Sequence, residues 1–314
     1  YLNAWILLHI LKDKFGWGTP QERGFIFNIS VGYNLAGVLS PTVQRFLDRM
    51  ADCSKQKTEK IDRLAQFYPR VKALSIPDCM SDSITVSTMH GCPPDEVEKI
   101  GRYFVEKRKL HTTIKLNPTL LGAERVRGIL NDKLGYKTQV PDLAFDHDLK
   151  YPDGVALIRS LIESARRVGV AFNIKLTNTL ETQNHDQNLP KNEQMVYMSG
   201  RSLHPISINL AARLQEEFQG ALDISFCAGI DYTNVAPVLA CNLKPITVCS
   251  DLLKPGGYGR LSQYTEKLNE AFSSAKAHTI DAFVVAQGSG HQDTVQAGWE
   301  NLKRYAEAVV DDDR

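Results

Sequence analysis

The sequence predicts an α/β barrel of the (β/α)8 type, with six of the eight strands present. Three observations lead there. Six short β-branched or aromatic runs alternate with helical stripes along the chain. Polar and glycine-rich clusters follow nearly every run, which is where barrel active sites are built. No Gly-x-Gly-x-x-Gly follows any run, so the dinucleotide fingerprint of an open doubly wound sheet is missing.

The elements can be taken in chain order. Trp5, Ile6, Leu8 and Leu11 open an amphipathic helix that Lys12 and Asp13 close. It falls well short of the ~20 apolar residues that a membrane span needs, and no small-residue cleavage site follows it. The strands are expected at 24–29, 83–87, 112–116, 171–176, 223–227 and 245–249. Each is largely apolar on both faces, as strands of a doubly covered parallel sheet are. Helical stripes lie between them. Val43, Phe46, Leu47 and Met50 make one. Val97, Ile100 and Phe104 make another, after a Pro93-Pro94-Asp95-Glu96 start whose prolines and acids suit a first turn. Further stripes run through Ile158 and Leu161, Leu210 and Leu214, and Leu261 and Leu268. The barrel is expected over 1–280, with a helical extension over 281–314. Because a strand signal is first met after a helix, two βα units are expected upstream of Tyr1. The chain therefore reads as a piece of a longer polypeptide, ending in a solvated run, Asp311-Asp312-Asp313.

Composition narrows the function. Lys and Arg number 37 against 36 Asp and Glu, so charge offers no case for nucleic acid or an anionic membrane as partner. The six cysteines, 53, 79, 92, 227, 241 and 249, form no Cys-x-x-Cys pair. That argues against an iron–sulfur cluster or structural zinc within this chain, and scattered free thiols suggest a reducing cytoplasm. Asp146-His147-Asp148 has metal-like chemistry, but consecutive side chains cannot all face one ion, so no metal site is expected.

The strand ends carry the candidate chemistry. Asn28 to Asn34 puts amides after the first strand, suited to a planar heterocycle edge. Ser87-Thr88-Met89-His90-Gly91-Cys92-Pro93-Pro94 holds hydroxyls, an imidazole and a thiol before a helix start. Any of them could move a proton. Cys92 ranks first, because a helix N-terminus favours a thiolate; His90 and Thr88 follow. Lys115 and Lys175 end the third and fourth strands in matching places. A lysine in an apolar strand is costly to bury without a partner, so an anion, a reduced flavin or a Schiff base is implied. Ser199-Gly200-Arg201, Ala228-Gly229-Ile230-Asp231 and Cys249-Ser250-Asp251 close the series. Small-residue loops at the last strands are the usual phosphate site of such barrels.

These strand ends resemble the FMN-binding barrel of dihydroorotate and dihydropyrimidine dehydrogenases. The loop 29–34 resembles their pyrimidine-contacting loop, which implies that Asn34 touches substrate. Lys115-Leu116-Asn117-Pro118 is similar to their flavin-contacting Lys-Leu-Thr-Pro, and Thr177-Asn178-Thr179 to their Thr-Asn-Thr. The loops at Ser199-Gly200, Gly229 and Cys249-Ser250 match their remaining flavin segments. The resemblance thus implies Lys115, Thr177, Asn178, Ser199, Gly200, Gly229, Cys249 and Ser250 as FMN contacts. It implies Asn34, Asn117 and Thr179 as substrate contacts. Where those enzymes carry an acid/base Cys or Ser, this chain has Thr88. Longer runs, such as Lys115 to Gly122 and Asp251 to Tyr258, resemble the selenate reductase iron–sulfur subunit family. That likeness implies a longer protein with iron–sulfur clusters, FAD and an NAD(P)H site beyond this chain. The expectation is an FMN-dependent oxidoreductase domain acting on a small planar molecule. The alternatives are a Schiff-base lyase using Lys115 or Lys175, and a barrel serving only as a scaffold.

Overall fold

The computed structural model describes residues 1–19, 22, 24–88, 90–184, 189–190, 193–288 and 290–311. Seven strands occur among them: β1 (Asn28–Val31), β2 (Ser83–Ser87), β3 (His111–Leu116), β4 (Phe172–Leu176), β5 (Leu180–Gln183), β6 (Met195–Met198) and β7 (Ile224–Phe226). β1, β2, β3, β4 and β7 form one parallel sheet in that order. A sixth position is occupied at Ile246, which bridges Phe226 in parallel. The Phe226 N–H donates to Pro245 O at 3.1 Å and the Thr247 N–H to Phe226 O at 2.9 Å. The expected strand at 245–249 is thus reduced to a bridge in the expected place. Pro245 offers no N–H to a longer ladder.

Two expectations need correction. The first strand starts at Asn28 and not at residue 24. Phe25 and Phe27 instead pack edge-on against Trp5, with ring centroids 5.1 and 5.3 Å away. They thereby join the sheet's edge to the helix Leu2–Phe15. Second, the sheet is not apolar on both faces. Ile29, Val31, Ile84, Val86, Ile114, Leu116, Ile174 and Leu176 are buried. Most alternate residues are polar and more accessible, namely Ser30, Ser87, Thr113, Lys115, Asn173 and Lys175, while Thr85 and Ser225 are polar and buried. Period-2 alternation therefore separates a helix-covered outer face from a polar concave face.

The outer face is tightly covered. A Cβ at Gly101, in the helix Pro94–Arg102, would stand 2.7 Å from Leu161 Cδ1 and 3.5 Å from Ile114 Cδ1. Only glycine lets this helix sit between β3 and the helix Tyr151–Val168. The segment after 280 also packs onto this body. In the helix Thr294–Ala308, Ala297 and Leu302 are fully buried. Tyr305 Oη lies 2.8 Å from His204 Nε2, and Asn301 Nδ2 donates to Ala240 O at 2.8 Å. One hydrophobic cluster runs from Trp5 to Val309, so no packing break marks residue 280. The acidic run at the end lies outside the described residues from 312 on. Among the described residues, no helix is long and apolar enough to cross a membrane.

A further element was not foreseen. β5 and β6 pair antiparallel, with Glu181 opposite Tyr197, and rise from the loop after β4. This arm stands over the strand ends and supplies part of the site.

Candidate active site

The parallel register sets the site. Lys115 and Lys175 are direct neighbours on β3 and β4, and both side chains belong to the polar concave face. No hydrogen bond or ion pair to either ammonium is present among the described residues. Burial first, and the charge of Lys115 after it, pull the Lys175 pKa below that of an ordinary lysine. Cys227, after β7, feels both lysines, yet burial dominates and raises its thiol. Its Sγ lies 3.1 Å from Leu176 O.

At the last strands, three loops meet. Gly200 and Gly229 both have left-handed backbone, with φ of 77° and 59°. A Cβ on Gly229 would fall 2.6 Å from Gly200 O and 2.9 Å from Arg201 Cα. A Cβ on Gly200 would stand 3.7 Å from Ser250 Cβ. Gly200 is favoured by its left-handed backbone, and Gly229 by both its backbone and its lack of a side chain. Ser199 occupies the cap position of the turn Gly200–Leu203, which runs into the helix His204–Glu217. Cys249, exposed, caps the turn Ser250–Leu253 in the same way. Neither cap side chain bonds the backbone below it. N–H groups at two turn starts without a side-chain cap, flanked by small residues, are of the kind that can hold an anion.

Ion pairs lock these loops from behind. Arg201 Nε donates to Asp231 Oδ2 at 2.6 Å. Burial pushes Asp231 up, but Thr233 and Arg201 more than offset it and its pKa falls. Asp251 accepts from Arg260 at 3.0 Å and from Tyr264 Oη at 2.8 Å. Burial again opposes, and the hydrogen bonds of Arg260, Tyr264 and Lys254 win, holding Asp251 at about 2.

At the other end of the cleft, a second network joins the β2, β3 and β4 loops. Thr88 Oγ1 donates to Lys115 O at 2.8 Å. Asn178 Nδ2 donates to Asn117 Oδ1 at 2.8 Å and to Thr88 O at 3.1 Å. Asn117 Nδ2 donates to Asp148 Oδ2 at 3.1 Å. Thr119 Oγ1 and the Gly91 N–H also donate to the Asp148 carboxylate, at 2.7 and 3.2 Å. His90 Nδ1 lies 3.0 Å from the same carboxylate. That hydrogen bond first, against burial, holds the His90 pKa above the ordinary imidazole value; Asp148, Glu181 and the Thr179 carbonyl add to it. Asp148 is lowered in spite of its burial, by His90 and Thr119 above all.

The expected residues fare differently. Lys115, Asn178, Gly200, Gly229, Cys249 and Ser250 meet at one end of the sheet. Thr177 is buried, with Oγ1 2.9 Å from Ser207 Oγ, so it ties β4 to the helix behind. Asn117 is buried with both ends of its amide engaged, which makes it a hub of the network. Thr179 is half-buried beside it. Asn34 is exposed and caps the helix Leu35–Val38, accepting from Gly37 N at 2.8 Å. The reason for ranking Cys92 first, a thiol lowered by a helix start, does not hold. The Cys92 side chain lines a small cavity with Val97, Leu116 and Leu120 but also with Thr88 and Asn117, and packs against the core. Burial, then Glu96 and Asp95 in the helix's first turn, raise its thiol where a bare helix start would have lowered it. Reasoning from sequence missed Asp148 as the network's centre, and Glu181. The Asp-His-Asp run was a signal for the first; nothing marked the second.

Comparison with known proteins agrees with this architecture. Residues 1–301 match the family model described as oxidoreductase YgfK, N-terminal TIM-barrel domain. Oxidoreductase YgfK of Escherichia coli K12 is 43% identical over 290 residues, as is that of the O157:H7 strain. The match covers 85% of this chain but only 28% of that relative, so the chain corresponds to part of a longer protein. Among solved structures, ligand-free DHODH from Eimeria tenella superposes with a TM-score of 0.39 at 15% identity, over 72% of this chain and 70% of that one. The ferulenol complex of the same enzyme gives 0.36 at 12%, over 71% and 65%. Scores so low add no argument of their own. With 301 residues matched and relatives at this identity, the chain belongs to the family of YgfK oxidoreductase N-terminal TIM-barrel domains.

Proposed function

We propose that this domain holds FMN across its strand ends and passes hydride between the flavin and a small planar substrate, within a longer iron–sulfur, FAD and NAD(P)H electron-transfer protein. The observation that carries the reading is the meeting of the Gly200, Gly229 and Ser250 loops, so close that a Cβ on Gly229 would fall 2.6 Å from Gly200 O and one on Gly200 3.7 Å from Ser250 Cβ. Loops this close bring the backbone of three strand ends to one place, as a phosphate seat at the last strands requires. The paired, unbonded Lys115 and Lys175 on the concave face fit the other end of the same molecule. When bound, the flavin supplies the hydride chemistry. The chain supplies position and charge. Gly200, Gly229, Cys249 and Ser250 offer N–H groups to the phosphate. Lys115 and Lys175 place positive charge where a reduced ring is anionic. Asn178 and Thr179 face the substrate, with Asn117 and Asp148 fixing Asn178 from below. The proton comes from the His90 end of the cleft, since burial and the neighbouring acids raise the Cys92 thiol. Redox domains of the same parent chain are the partners, and the free cysteines fit a reducing cytoplasm.

The test is the visible spectrum of the intact parent protein, with the released flavin identified by chromatography. FMN at one per chain, lost on disturbing Gly229, is expected. A parent protein that takes up no FMN on reconstitution would overturn the reading and leave a scaffold. A second reading keeps one observation in its favour: a desolvated lysine beside another cation is how Schiff-base lysines are activated. Borohydride with substrate would then trap an adduct on Lys175, and a flavin enzyme would show none.

A further inference from the structure

Two histidine nitrogens near the β5–β6 arm are sealed from solvent without a hydrogen bond of good geometry: Nε2 of His90, which has the Thr179 carbonyl nearby, and Nε2 of His147. Such atoms are uncommon in folded proteins and call for an occupant. Glu181, from β5, approaches the same place. Its Oε2 lies 3.5 Å from His147 Nε2, without the geometry of a hydrogen bond. One ligand atom from each of His90, His147 and Glu181 lies within 4.8 Å of the other two.

We infer that His90, His147 and Glu181 bind a divalent first-row transition ion, with Zn2+ the best fit. Two imidazoles and one carboxylate are the donor set of open zinc and related sites; calcium and magnesium take oxygen alone. The outer shell is already built. Asp148 holds Nδ1 of His90 and is itself held by Gly91, Asn117 and Thr119. A carboxylate on one imidazole nitrogen presents the other to a metal as a lone pair. The Tyr197 ring, 5.8 Å from His90 and tilted by 31°, covers the imidazole from the arm. Ligand atoms around zinc stand about 3.3 Å apart, from bonds of about 2.0 Å. Apart from each other, the His147 ring and the Glu181 carboxylate make ion-pair contact only with Asp148 Oδ1, 4.0 Å from His147 Nε2, among the described residues, and they can draw in. Consecutive Asp-His-Asp residues do not share this ion: His147 binds it, Asp148 orients a ligand, and the rest come from distant loops.

Three protein ligands leave a position for water. Through Asp148, Asn117 and Asn178, the ion joins the floor of the cleft proposed to hold substrate. Ion-bound water would then be the proton source at this end, with His90 as its ligand. That consequence rests on the flavin reading; binding of the ion does not.

The test uses the intact parent protein, dialysed against a mild chelator and titrated with radiolabelled Zn2+ alone. Wild type is expected to bind one more ion per chain than His147→Ala. Glu181→Gln should hold that ion at least ~10-fold more weakly, and Asp148→Asn about 10–100-fold more weakly. Glu181→Gln keeps the shape of the arm, so the test survives if His147→Ala misfolds. Equal uptake by wild type and Glu181→Gln, or no uptake by folded wild type, overturns the site. In that case, the His90 imidazolium is simply held between Asp148 and the Thr179 carbonyl. A colourless parent that still binds zinc would sink the flavin reading and leave this one standing.

Discussion

Gly229→Ala tests the anion cradle at its tightest point. Two costs can be read from the geometry. The backbone at φ 59° is left-handed, and a Cβ there costs about 1–2 kcal/mol. The new carbon would also stand 2.6 Å from Gly200 O and 2.9 Å from Arg201 Cα. Both are backbone atoms and cannot rotate aside, so the two loops must part; overpacking of this kind costs about 1–3 kcal/mol. The sum is about 2–5 kcal/mol. Gly257→Ala separates the terms. Its φ is 51°, and nothing lies within 4 Å of its added Cβ, so only the backbone cost applies. Urea unfolding of both variants should therefore place Gly229→Ala about 1–3 kcal/mol below Gly257→Ala, at an unchanged m-value. Flavin content should fall in the first and hold in the second. If the two variants unfold together and retain equal flavin, the loops do not touch as described, and the cradle argument fails.

Other predictions concern the clamp and the cleft. Asp251 is depressed to about 2 from an ordinary 3.8, which corresponds to about 2 kcal/mol at neutral pH. Because the folded value is the lower one, this stability is complete above the unfolded value and is lost as pH falls towards 2. Asp251→Asn should therefore unfold more easily at pH 7, with the gap to wild type closing in acid. A gap independent of pH would exclude the carboxylate as its source. Cys92→Ala should leave substrate-dependent flavin reduction within about threefold of wild type, while His90→Ala should slow it by 10²-fold or so. Stopped-flow absorbance of the parent protein reads both, and the reverse order would return the proton-carrying role to Cys92.

Local pattern was enough for much of this molecule. The parallel strands were legible at 83–87, 112–116 and 171–176 almost to the residue, because a buried run bounded by turn residues is a local signal. So was the meeting of Gly200, Gly229 and Ser250, since each follows its own strand and a parallel sheet must bring strand ends together. The polar concave face was written in the alternation of Thr113, Ile114, Lys115 and Leu116, but the run as a whole read as apolar. What the sequence by itself determined was the order of strands, the loops after them and the type of chemistry those loops carry. The tertiary structure alone decided how that chemistry is distributed. Whether a helix start activates Cys92 depended on the core beneath it and the acids beside it. Whether Asp148 is a surface carboxylate or a buried hub depended on Thr119 and Asn117, from the turn after β3. Glu181 joined His90 and His147 only through an arm whose two strands are separated by residues without periodicity. Burial and charge are properties of neighbours in space, and the neighbours here lie some 30 to 90 positions apart in the chain.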